Sequence, residues 1–97
     1  MPLFAVIWRY TEDTQRVDEV RPLHRKYLSD LVQRGIVREA GPWSDGTGGL
    51  LVFDTADEAE LKSLLDDDPC TTSGVLVEQR IHEWKVLVGP LSDRSSA

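Results

Sequence analysis

Apolar residues recur along this chain in two different periods. Leu3–Tyr10 reads LFAVIWRY, a short run rich in β-branched and aromatic residues. Its two faces, Phe4/Val6/Trp8/Tyr10 and Leu3/Ala5/Ile7/Arg9, are both largely apolar, which predicts a strand covered on both sides. Thr11–Asp18 is polar and reads as a loop. From Val20 to Arg34 the period lengthens: Val20, Leu23, Tyr27, Leu28, Leu31 and Val32 recur at helical spacing. Pro22 fits an early helical position, where its missing N–H costs little, and Gly35 is placed to stop the helix.

Ile36–Ala40 reads as a second strand ending at Gly41-Pro42, Ser44–Gly49 as a turn, and Leu50–Phe53 as a third strand, so the two strands form a hairpin. Thr55-Ala56-Asp57-Glu58 matches a capping box. The helix it opens directs Leu61, Leu64 and Leu65 inward and ends near Asp66-Asp67-Asp68, because Pro69 disfavours a helical residue before it. A loop runs on to Gly74. Val75–Val88 is a long extended segment whose apolar positions are odd at first and even later, which predicts a bulge near His82–Glu83.

The order β-α-β-β-α-β is that of a ferredoxin-like α+β domain with an antiparallel sheet. Two helices cover one face of four strands, yet the first and third strands are apolar on both. A second copy of the same sheet is the simplest cover, so a face-to-face homodimer is expected.

Length and charge narrow the function classes. Ninety-seven residues make one small domain, taken as 1–91 with a loose polar tail at 92–97. With 11 Lys+Arg against 17 Asp+Glu the net charge is −6, which argues against binding nucleic acid or an anionic membrane. No run approaches the roughly 18 apolar residues of a membrane span, and the N-terminus lacks the pattern of a signal peptide. Cys70 is the only cysteine, and with His24 and His82 it makes no recognisable zinc motif. A cytoplasmic protein without metal or organic cofactor is expected.

Two polar residues interrupt apolar stripes. His24 lies one turn after Val20, on the face continued by Tyr27, Leu28 and Leu31. Asp68 ends the stripe of Leu61, Leu64 and Leu65. A carboxylate bonded to one imidazole nitrogen fixes the tautomer and leaves the other nitrogen to move a proton. Spacing alone leaves a second reading open, in which the two residues are merely a satisfied core pair. Arg21, three residues before His24, is a candidate for holding an anionic substrate; Trp43 is a candidate pocket wall. Pro69 and Cys70 are candidate neighbours, with Cys70 equally readable as a small core residue.

These residues also resemble a known pattern. Arg21-x-x-His24-x-x-Tyr27-Leu28, Ala40-Gly41-Pro42, Gly48-Gly49-Leu50, Asp68-Pro69 with Gly74 and Val77-Glu78 beyond, and Ile81-x-x-Trp84 resemble, in order, the motifs of the YCII-related family. The resemblance implies a dimeric α/β barrel, with His24 and Asp68 as a catalytic dyad for elimination, isomerisation or lyase-type chemistry on a small, cyclic or anionic metabolite. It also leaves room for a non-catalytic binding or dimerisation module in which the pair is structural. Cys70 stands where the family usually has Phe or Tyr, which puts the shape of the substrate pocket in question.

Overall fold

The computed structural model describes residues 2–92, so the tail expected at 92–97 lies outside it except for Ser92. The chain forms β1 (Leu3–Tyr10), α1 (Thr14–Gln33), β2 (Val37–Pro42), β3 (Gly48–Asp54), α2 (Glu58–Asp66), α3 (Pro69–Thr72) and β4 (Leu76–Trp84). The strands make one antiparallel sheet in the order β2-β3-β1-β4, the ferredoxin-like arrangement expected with one short helix added.

The central strand β1 has the predicted bounds, and its register sorts its side chains. Phe4, Val6 and Trp8 stand opposite Phe53, Leu51 and Gly49, and this row faces the helices, where Val17, Leu31, Leu61, Leu65 and Val75 complete the core. Leu3, Ala5 and Ile7 face the other way, with Leu50 and Val52 of β3. On that side Leu50, Val52, Trp84 and Val86 line a groove of about 670 Å³.

Four local expectations are corrected. Thr11–Asp18 is not all loop: α1 begins at Thr14, where Asp13 accepts the Arg16 N–H at 3.3 Å, and Pro22 lies inside the helix. The polar first turn conceals one anchor, Val17, which is buried in the core. Gly35 does stop α1, with φ of +75°; the Ile36 N–H reaches the Leu31 carbonyl at 2.9 Å in a Schellman closure.

Gly48 and Gly49 belong to β3 rather than to the turn. A Cβ on Gly48 would overlap the Trp8 carbonyl, and one on Gly49 would come within 2.6 Å of the Gly41 oxygen. Glycine is needed here for close approach of strands, which composition cannot distinguish from turn formation.

The cap of α2 is Asp57, not Thr55: Asp57 accepts the Glu60 N–H at 2.8 Å, and the Glu60 carboxylate accepts the Ala56 N–H at 3.3 Å. Thr55 is instead buried, its hydroxyl donating to the Asp57 carbonyl.

The last strand ends at Trp84 rather than Val88, and its irregularity lies at Val77, between the pairs Arg9↔Glu78 and Tyr10↔Leu76, not at His82–Glu83. Gln79 and Ile81 face the helices opposite Trp8 and Val6, while Trp84 belongs to the open face. The change of parity therefore reflects two apolar faces rather than one slipped face. Among the described residues no helix is long and apolar enough to cross a membrane.

Candidate functional site

The segment after α2 is where the fold departs most from a simple loop. Asp67 closes α2, and Asp68 opens α3 as its N-cap, accepting the Cys70 N–H at 2.8 Å, with Pro69 in the first helical position. Asp-Pro suits both roles, since Asp caps and Pro is preset for the first turn. The carboxylate thus avoids the unfavourable end of the α2 dipole and sits at the start of a new helix. Two ties fix this corner: the Tyr27 hydroxyl donates to the Leu64 carbonyl at 2.7 Å, and the Thr71 hydroxyl donates to the Leu65 carbonyl at 2.6 Å.

Asp68 is fully buried and meets His24 from α1, 44 residues earlier. The His24 Nδ1 lies 2.9 Å from both carboxylate oxygens. An ionised carboxylate only accepts, so Nδ1 carries the proton and donates, and Nε2 is left as an acceptor. The imidazole is also held against the Trp8 indole, with ring centroids 5.3 Å apart. Position and tautomer are therefore set by groups on β1 and α3.

His24 lines a partly enclosed cavity of about 120 Å³ between α1 and the β2–β3 corner of the sheet. Tyr10, Ala40 and Gly49 line it from the sheet, and Arg21 and the exposed Arg25 line it from α1. Ala40 stands opposite Leu51 and so belongs to the helix-facing row; together with Gly49 it provides the room beside the imidazole.

The sequence candidates are distributed unevenly around this cavity. His24 and Arg21 line it, and Asp68 lies directly behind His24. Arg21 also forms an exposed ion pair with Asp18 at 3.3 Å. Cys70 is buried behind Asp68, and Pro69 is the adjacent helix start. Trp43 is elsewhere, lining the groove on the open face of the sheet. Tyr10, Arg25, Ala40 and Gly49 line the cavity without being among the site candidates, although Ala40 and Gly49 stand in the family-like motifs and Tyr10 alternates with Trp8 and Val6.

Burial pushes the Cys70 thiol up to about 12, with the Asp68 carboxylate adding to the effect, so at neutral pH the sulfur is protonated and a poor nucleophile. The His24 ring nitrogen, the Asp68 carboxylate and the Cys70 sulfur lie within 4.8 Å of one another, and these are the groups that could converge on a cation. As arranged, Nδ1 and the carboxylate satisfy each other directly.

Comparison with known proteins bears on this geometry. No curated protein matches the chain. Among solved structures, it is similar to the 5-chloro-2-hydroxyhydroquinone dehydrochlorinase of Burkholderia phenoliruptrix, in complex with 2,5-dihydroxybenzoquinone. The TM-score is 0.76 and the identity 22%, over 86% of this chain and 93% of that one, so the two share a fold. The sequence pattern of the YCII-related domain matches residues 3–85, from β1 through β4. By that match the chain belongs to the YCII-related domain family.

Proposed function

We propose that this protein is a small cytoplasmic enzyme that moves a proton on a small, cyclic or anionic metabolite, with His24 as general acid/base and Asp68 as its orienting partner. The observation that carries the reading is the position of His24. One ring nitrogen is bonded to a buried carboxylate, and the same ring lines a cavity with an open rim. A purely structural pair is more economically sealed on all sides.

The chemistry follows from the tautomer. Nε2 accepts a proton from a carbon acid or hydroxyl in the cavity, and the resulting imidazolium is stabilised by Asp68 through Nδ1–H. Return of that proton to another position gives isomerisation; departure of a leaving group gives elimination. Arg21 on the α1 side supplies positive charge for an anionic substrate. The dehydrochlorinase similar in fold acts on a small ring compound, which favours ring substrates here as well.

The test is a screen of small cyclic ketones and hydroxyquinones in deuterated buffer, with carbon-bound deuterium read by NMR. Exchange above the buffer rate is expected for at least one ring compound with an acidic C–H. Buffer-rate exchange throughout the series would count against acid–base catalysis and for a binding module.

Assembly is part of the same proposal. The open face presents half-buried Ile7 and Leu50 beside Trp84, which is 41% exposed, while Val52 on the same face is already buried within the single chain. A second copy packed sheet to sheet covers it. Sedimentation at micromolar concentration is expected to give a dimer, and a monomeric mass overturns the arrangement.

A further inference from the structure

We propose that Tyr10 is a further catalytic residue of the His24 cavity, its hydroxyl donating a hydrogen bond to the oxyanion that forms on a single-ring carbonyl substrate. The inference rests on the acid–base reading of His24 and adds the group that receives the charge.

The two tyrosines of the chain are used differently. Tyr27 commits its hydroxyl to the Leu64 carbonyl. Tyr10 ends β1 on the helix-facing row, lines the cavity with His24 and Arg21, and its hydroxyl has no hydrogen-bond partner among the described residues. That hydroxyl is not sealed among the buried polar atoms, so it is reachable from outside and free to donate. On a cavity wall, the partner is supplied by what the cavity takes.

Three further features suit Tyr10 to the role. Its ring packs against Trp8, centroids 6.5 Å apart, so the donor is held before substrate arrives. Burial raises its pKa above 10.0, Cys70 adding to the shift and Arg21 opposing it, so it remains an O–H donor at neutral pH. The cavity volume, about 120 Å³, is somewhat below the about 150 Å³ of an engineered apolar cavity that takes benzene, a size suited to a single ring and not to two.

In the step, His24 Nε2 takes the proton from a carbon next to the ring carbonyl. The C–H electron pair becomes a C=C bond, and the carbonyl π pair moves to oxygen. Tyr10 O–H bonds that oxygen, and Arg21 supplies positive charge from the α1 side. On a ring with a β,γ double bond, His24 then returns the proton to the γ carbon of the dienolate: the β,γ π pair forms the new C–H bond, the former enolate C=C pair moves into the α,β position, and the C=O bond re-forms, so protons and electron pairs balance without an external oxidant or reductant.

The test uses 4-nitrophenolate, a planar oxyanion whose visible absorption reports its environment, with the full-length protein and Tyr10→Phe. The phenylalanine keeps the ring against Trp8 and removes only the donor. Wild type is expected to bind the phenolate with an absorption shift, and Tyr10→Phe to bind it about ten- to a hundredfold more weakly, the range for a hydrogen bond to a charged group. Replacing Tyr10 with 3-fluorotyrosine, a more acidic donor, is expected to tighten binding. Equal affinity across the three proteins overturns the assignment, as does a wild type that leaves millimolar nitrophenolate unbound. Binding of this probe needs no proton transfer, so intact Tyr10-dependent binding without any substrate exchange would fault the acid–base reading and not the oxyanion contact.

Discussion

Asp68→Asn is expected to lower turnover by roughly 10²–10⁴-fold while leaving the protein folded, and His24→Ala to lower it by at least as much, the range for loss of a positioned acid–base group. The asparagine is nearly isosteric. Its carbonyl oxygen can still accept the Cys70 N–H that Asp68 accepts at 2.8 Å, so the start of α3 survives. What is lost is the negative charge beside Nδ1. If the amide presents its NH₂ group to the ring, the proton moves to Nε2 and the cavity-facing nitrogen can no longer accept. Either change removes stabilisation of the imidazolium. Because the two residues act as one unit, the double variant is expected to be little worse than either single variant. The measurement is the turnover number for any substrate found by exchange screening, with thermal unfolding recorded for each variant. Activity that survives both substitutions would show that the pair does not carry the reaction.

The pair was legible in the sequence for a specific reason: each residue is polar and in phase with an apolar helical stripe. His24 sits where α1 presents its buried face, with Val17 and Leu31 one heptad to either side, all three buried. Asp68 was found by a phase argument that its actual position only partly satisfies. It caps α3 instead of ending α2, because Pro69, which reads in the sequence as a stop for α2, also opens a new helix. β1 was readable to the residue because strand period and composition agree there. The start of α1 was not, because one buried valine in a charged turn gives no periodicity. The cap of α2 moved two residues because Thr55 and Asp57 are both good caps, and burial of Thr55 decides between them. Tyr10, Ala40 and Gly49 became cavity residues only through strand pairing and the passage of α1 over the β2–β3 corner, a long-range placement that local spacing does not encode.

Trp8→Ala is expected to be the most destabilising single change in the chain, at about 3–5 kcal/mol, the range for truncating a buried aromatic residue. Trp8 is 1% exposed at the centre of the sheet's helix-facing row, and its indole N–H donates to the Gln79 side chain at 2.7 Å. Its ring also backs both His24 and Tyr10. For a domain of this size the loss corresponds to a fall in melting temperature of roughly 12–40 °C, and small domains have only about 5–15 kcal/mol to lose. Trp8→Phe keeps a ring behind His24 but loses the donor to Gln79, so it should fall between wild type and Trp8→Ala. Indole in solution separates a cavity effect from general disruption. If Trp8→Ala leaves a dry, ring-shaped void, indole should bind there and raise the variant's melting temperature by mass action, with no comparable effect on wild type. Absence of rescue would mean that the site has closed over. The His24 ring would then have lost the wall that orients it, and activity should stay low even at temperatures where the variant is folded.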